Sequence, residues 1–265
     1  MRLKITHRTE YDYDQPILYA LQRLRLCPRS DALQTVRSWS LSIEGAREQA
    51  RFTDHFGNDT RLISVEDEPH VIAVQVVGEV ETVNKAGVSG EHRGFAPLWL
   101  FQHETPLTAP GEGIGALASV GGQSDRLAML HELMASVRER VAYAVGETDA
   151  ETRAEDALSK GKGVCQALAH IFIAAARLNG FPARYGSGYL MMDGVAEQAA
   201  SHAWAEAYVE ALGWVGFDVA NGISPDENYV RVATGRDYRD AAPVSGIRLG
   251  QATEERLAVR ITVEQ

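Results

Sequence analysis

The stretch Ser201-His-Ala-Trp-Ala-Glu-Ala-Tyr208 constrains the fold more than any other part of the chain. Period-two alternation places His202, Trp204, Glu206 and Tyr208 on one face of a strand and three alanines on the other. Small residues along one face require a closely packed neighbour, so a helix is expected to lie against them. A suitable helix precedes it: Leu168, Ile171, Phe172, Ala175 and Leu178 form an apolar stripe that ends at the cap Asn179-Gly180, with Pro182 just beyond. Tyr185, Ser187, Tyr189 and Met191 alternate with Gly186, Gly188 and Leu190 as a further strand, and Trp214-Val-Gly-Phe-Asp218 reads as the next. Upstream, Leu127, Leu130, Leu133, Met134, Val137 and Val141 recur at three and four behind Asp125, an N-cap residue. Helices followed by several antiparallel strands define an α+β unit.

The first ~85 residues carry short strands by the same alternation rule. Leu3, Ile5 and His7 alternate, as do Trp39, Leu41 and Ile43; Phe56-Gly-Asn-Asp59 is turn chemistry, and Val71 to Val80 is a β-branched run. An antiparallel β-sandwich over residues 1–100 is expected. Residues 101–124 have a linker composition, 125–245 form the α+β core, and 246–265 end in a strand that pairs with either unit. With 26 Lys+Arg against 36 Asp+Glu the net charge is −10, which argues against nucleic-acid binding. The start lacks a signal-like apolar run and no stretch is long enough to span a bilayer. The expectation is a cytoplasmic chain with reduced thiols and no membrane partner.

Its two cysteines, Cys27 and Cys165, make neither a disulfide framework nor a four-cysteine metal site. Cys27, followed by Pro28, is expected to end a strand and be inert. Cys165 sits where a turn containing Gly161 and Gly163 enters a helix, and the free amide hydrogens and dipole of a helix start favour a thiolate. A thiolate nucleophile needs a base, and the base a group that fixes its tautomer. His202 and Asp218 lie on the two strands that follow and can meet only as opposite or diagonal neighbours. Direct opposition would set Trp204 against Gly216 and Glu206 against Trp214. A tight hairpin at Ala211-Leu-Gly213 would pair Asp218 with Glu206, so a longer or bulged connection is expected.

The segments Gly163-Val-Cys165-Gln166, Ser201-His-Ala-Trp-Ala-Glu-Ala-Tyr208 and Gly213-Trp-Val-Gly-Phe-Asp218 resemble the bacterial transglutaminase-like family, whose core belongs to the papain-like cysteine-enzyme superfamily. The likeness extends to Thr234-Gly-Arg-Asp-Tyr238 and to the β-rich region before the core. It implies an amino-terminal β-sandwich followed by a helix packed on an antiparallel sheet. Cys165 would be the nucleophile, His202 the general acid and base, and Asp218 the residue that orients the imidazole. The reaction implied is acyl transfer from an amide through a thioester, of transglutaminase or glutamine-deamidase type, with a peptidase or a noncatalytic peptide binder as alternatives. The partner would be a protein or peptide bearing glutamine or another amide. No cofactor or metal is implied, and no Asp/Asn-rich calcium loop is present. Two departures stand out: Ala167 replaces an aspartate common in the family, and Val219-Ala-Asn221 replaces Pro-Thr-Asn.

Tyr143 and Gln166 are candidates for a second oxyanion donor beside the Cys165 N–H. Trp204 is expected as core or site wall. Glu206 shares the His202 face and could touch substrate, though a strand glutamate ending in solvent is the plainer expectation. His170, about 140° round the helix from Cys165, should be a satisfied structural histidine.

Overall fold

A computed structural model describes residues 1–119, 125–192, 194–250 and 254–265. Part of the linker-like stretch (120–124), Asp193 of the loop before His202, and 251–253 lie outside the described residues. The chain begins with β1 (Arg2–Tyr13), β2 (Tyr19–Cys27), β3 (Gln34–Glu44), β4 (Ala46–Thr53), β5 (Asp59–Val65), β6 (Val71–Thr82) and β7 (Val88–Gly90). It continues with α1 (Glu112–Ala118), α2 (Arg126–Arg140), β8 (Ala142–Tyr143), α3 (Ala154–Lys160), β9 (Lys162–Gly163) and α4 (Cys165–Leu178). Then come β10 (Ala183–Leu190), β11 (Glu197–Gln198), β12 (His202–Val209), β13 (Gly213–Phe217), β14 (Tyr229–Gly235), α5 (Tyr238–Ala241), β15 (Val244–Leu249) and β16 (Glu255–Glu264). None of the described helices is long and apolar enough to cross a membrane.

Two antiparallel sheets, ordered β11-β16-β1-β6-β3 and β15-β2-β5-β4, form the sandwich. Between them lie Leu24, Leu26, Ile63, Ile72, Val74 and Val76. The final strands therefore both belong to this unit: β15 extends the edge at β2, and β16 pairs with β1 from Lys4↔Glu264 to Tyr13↔Glu255. β7 goes the other way, adding an edge to the core sheet β14-β10-β12-β13-β7. A second apolar cluster, with Leu3, Ile5 and Val80 of the sandwich against Tyr189, Val230 and Val232 of the core, joins the units.

The alanine face of β12 does meet a helix. Ala203, Ala205 and Ala207 pack in one cluster with Leu168, Ile171, Phe172 and Ala175 of α4, whose other sides are covered by α1, α2 and α3. A helix that is apolar nearly all round must be buried, and residues 167–177 of α4 are. Asp125 caps α2 as its sequence predicts, its Oδ1 accepting from Leu127 N at 2.9 Å. In the stretch of linker composition, α1 buries Ile114 and Leu117. The Glu155 carboxylate caps its start by accepting from the amides of Gly111, Gly113 and Ile114 at 2.7–3.1 Å. Glycines that weaken a helical signal here supply the amides of a capped turn.

The expected longer connection between β12 and β13 is not what forms. The hairpin is tight, turning at Glu210-Ala-Leu212 with Ala211 at φ 70°. It pairs Glu206 with Gly216 and Tyr208 with Trp214, not Trp204 with Gly216 or Glu206 with Trp214. Continued past Ala205↔Phe217, this register puts Asp218 level with Trp204, one diagonal step from His202, so no bulge is required. Room for the indole comes instead from the other neighbour. Gly186 pairs with Trp204, and a Cβ at Gly186 would fall 2.7 Å from the Trp204 Nε1.

β14 is an edge strand whose outer backbone groups would be left open toward the sandwich. Two carboxamides satisfy them as a strand would. Gln34 Nε2 donates to Arg231 O and its Oε1 accepts from Arg231 N, each at 2.8 Å. Asn58 does the same for Thr234 O and N, again at 2.8 Å. Asn58→Ala is expected to leave a buried N–H and C=O unmet and to cost about 2–4 kcal/mol, read as a lower midpoint in urea unfolding. An unchanged midpoint would mean that water replaces the amide without loss.

Candidate functional site

The structure brings Cys165, His202 and Asp218 together. Cys165 opens α4, and its backbone N–H is among those that a helix start leaves without an intrahelical acceptor. The half-buried thiol lies beside the His202 imidazole, close enough to raise it, and His202 stands at the first position of β12. His202 Nε2 donates to Asp218 Oδ2 at 2.6 Å, leaving Nδ1 for the sulfur.

Asp218 is fully buried, yet its carboxylate is richly partnered. Oδ2 also accepts from Asn221 Nδ2 at 2.7 Å and from the Tyr229 hydroxyl at 2.6 Å, while Oδ1 accepts from Asn221 N at 3.2 Å. The turn that makes this possible needs Gly222 at φ 70°, where a residue with a Cβ is strained. Burial opposes the charged carboxylate, but the bond and charge from His202, with the bonds from Tyr229 and Asn221, hold it below its usual range.

For His202, burial again opposes charge and is outweighed. The bonds and charges of Asp218 and Cys165 push the imidazole up to about 10 from 6.5. A group raised on folding contributes stability that is fully present below its free value and is lost as pH rises through its folded value. Here that window runs from 6.5 to about 10. In ¹⁵N NMR the His202 ring is therefore expected to remain imidazolium at pH 8, where a free histidine is neutral. Titration of that ring near 6.5 would contradict the arrangement.

The other candidates divide. Tyr143, on β8, is more than half exposed and lies within the field of Cys165 and Asp218. Burial first, then those two charges, raise its phenol. β8 pairs in parallel with β9, setting Tyr143 opposite Gly163 and bringing it to the site mouth. Gln166 points away, with its Nε2 toward Asp149 O at 3.4 Å. Trp204 stacks beside His202 with centroids 6.4 Å apart, so it is a wall of the site.

Glu206 does not end in solvent. It is buried and binds Arg184 at 2.7 and 2.5 Å and Arg231 at 3.0 and 3.2 Å, because the sandwich covers the face where it stands. His170 is buried as expected, but only half satisfied. Nε2 accepts from Tyr238 N at 3.1 Å while Nδ1 has no partner among the described residues, and burial pushes the ring down to about 3, so it is neutral. Cys27 ends β2, and burial pushes its thiol up.

Sequence reasoning missed Tyr229 and Asn221 as partners of Asp218. Asn221 had a signal, since Asp-x-x-Asn-Gly favours a turn in which side chains bond the backbone. Tyr229 had none, because only the return of β14 beside β10 carries it to the carboxylate.

A cysteine at a helix start, a histidine and an aspartate on successive strands, and a β-rich unit before them define a thiol-enzyme architecture. Residues 116–219 match the transglutaminase-like superfamily, and residues 3–81 match the bacterial transglutaminase-like N-terminal region. An uncharacterized protein of Mycobacterium leprae is 31% identical, covering 98% of each chain. One from Mycobacterium tuberculosis is 28% identical over 93% of this chain and 87% of its own. A crystal structure of a candidate cysteine protease from Cytophaga hutchinsonii superposes with a TM-score of 0.75 at 20% identity, covering 100% of this chain and 98% of its own, which shows the shared fold. The chain belongs to the transglutaminase-like superfamily, a family of thiol-dependent enzymes.

Proposed function

We propose that the protein transfers acyl groups from amides through a thioester on Cys165, with His202 as acid and base and Asp218 as its orienting partner. The observation that carries this reading is the convergence of the Cys165 thiol, at the amide-rich start of a helix, with a His202 imidazole that is itself hydrogen-bonded to the buried Asp218 carboxylate. When the proton of the Cys165–His202 pair sits on the imidazole, the sulfur is free to attack. The thiolate adds to the amide carbonyl, and the oxyanion that forms meets the Cys165 N–H, with the Tyr143 phenol beside it. Collapse breaks the C–N bond as His202 gives its proton to the departing nitrogen. An amine or water then attacks the thioester, losing its proton to His202 as the thiolate leaves.

The acyl donor favoured by membership of this superfamily is a glutamine side chain, so that ammonia departs. Incubating the protein with a glutamine peptide and a labelled primary amine is expected to release ammonia and yield either an amine-bearing or a deamidated peptide by mass spectrometry. Cleavage of the peptide chain without ammonia would make the enzyme a peptidase. A silent result across varied peptides, with Cys165 intact, would remove the acyl-transfer reading.

A further inference from the structure

Four residues beyond His202 on the same strand face, roughly 13 Å along β12, Glu206 anchors a basic network that the site chemistry does not use. Next to it, between the core sheet and the sandwich, lies a cavity of about 340 Å³. Its charged wall is formed by Arg29, Arg93, Arg184 and Arg231 against two carboxylates, Asp31 and Glu91. With Glu206, which binds two of these arginines, four guanidinium groups face three carboxylates, a small local excess of positive charge on a chain whose net charge is −10. Trp214 and Phe56 supply flat apolar wall beside them.

Two of the four guanidinium groups are taken up by carboxylates, and two are not. Arg184 is only 8% exposed and lies over the Trp214 ring at 4.1 Å from its centroid. Its Nε and Nη2 are fixed by Glu206, while its Nη1 makes no hydrogen bond among the described residues. Arg231 is clamped between Glu206 and Asp31. Arg29 is exposed and holds Gly57 O at 2.8 Å through Nη1 alone. Arg93, also exposed, has no hydrogen bond or ion pair among the described residues. The two exposed guanidinium groups at the rim are open to planar, bidentate recognition of oxyanions, above a rigid base where Arg184 keeps Nη1 unbonded among the described residues.

We propose that this cavity binds a small molecule carrying two or more carboxylate or phosphate groups. The volume is at the lower end for small-molecule sites, which fits a compact polyanion. The claim does not depend on the acyl-transfer reading, since none of these residues touches the Cys165 thiol.

The probes are citrate and inorganic pyrophosphate, titrated separately at constant ionic strength against sodium chloride. Heat of binding is read by calorimetry, and tryptophan fluorescence serves as a second signal because Trp214 stands in the wall. At least one probe is expected to bind saturably, with a Kd of about 1 mM or tighter. The tighter of the two identifies the headgroup as carboxylate or phosphate. The double variant Arg29→Ala/Arg93→Ala is exposed at both positions and should fold; it is expected to weaken that binding about tenfold or more. Saturation by neither probe above the chloride control overturns the proposal, as does unchanged affinity in the double variant. Because both readouts are of binding, they are separable from any failure of the peptide assay.

Discussion

Cys165→Ala is expected to abolish amide turnover, a loss on the order of 10⁵- to 10⁶-fold, as when a nucleophile that acts as a unit with its base is deleted. The fold should survive, because the thiol is half buried and an alanine fits where it stands. In the intact protein, iodoacetamide near neutral pH should modify Cys165 to one equivalent well before Cys27, which is buried and whose thiol is pushed up by that burial. Equal sluggishness of the two thiols would sink the nucleophile assignment, as would turnover retained by the alanine variant. The same substitution carries a second readout: with the sulfur's bond and charge gone, the His202 titration should fall from about 10 toward what Asp218 alone sustains.

The second large effect is on stability. Glu206→Gln should cost about 3–5 kcal/mol, since it leaves Arg184 and half of the Arg231 network as buried cations without a countercharge. Against a total stability of roughly 5–15 kcal/mol for proteins generally, this is enough to unfold the variant in mild urea. The expected pH signature follows from the carboxylate. Burial alone would raise Glu206, but the two arginines hold it at about 2 against 4.5 when free. A depressed acid contributes stability that is present above its free value and is lost as pH falls toward its folded value. Wild type should therefore lose stability between pH 4.5 and about 2, and the glutamine variant should lose less over that range. Matching acid profiles for the two proteins would show that the network is not held by this charge.

Local pattern made the helix-and-strand skeleton of the core legible. Alternating alanines announced the helix, and the stripe with its Asn179-Gly180 cap delimited it, because these features depend on neighbours only a few residues away. The positions of Cys165, His202 and Asp218 were readable for the same reason, together with three motifs in family order. What escaped was register and long-range closure. The β12–β13 register is set by a turn whose Ala211 adopts a left-handed backbone that alanine gives no cause to expect. Glu206 looked like a surface residue because its partners Arg184 and Arg231 come from other strands, and Arg231 is held in turn by Asp31 and Gln34, far away in the chain. Tyr229 reaches Asp218 only through sheet topology.

That β1 lies between β6 and β16 bears on how the molecule is made. During synthesis an amino-terminal unit can ordinarily collapse as soon as it leaves the ribosome. Here the first sheet stays open along β1, and the second along β2, until β15 and β16 have been translated. The intervening helices and core strands must emerge meanwhile, with those edges able to recruit other chains. Such distant pairings slow folding. The nascent chain thus has reason to depend on chaperone protection until its last strands arrive, whatever chemistry the finished protein performs.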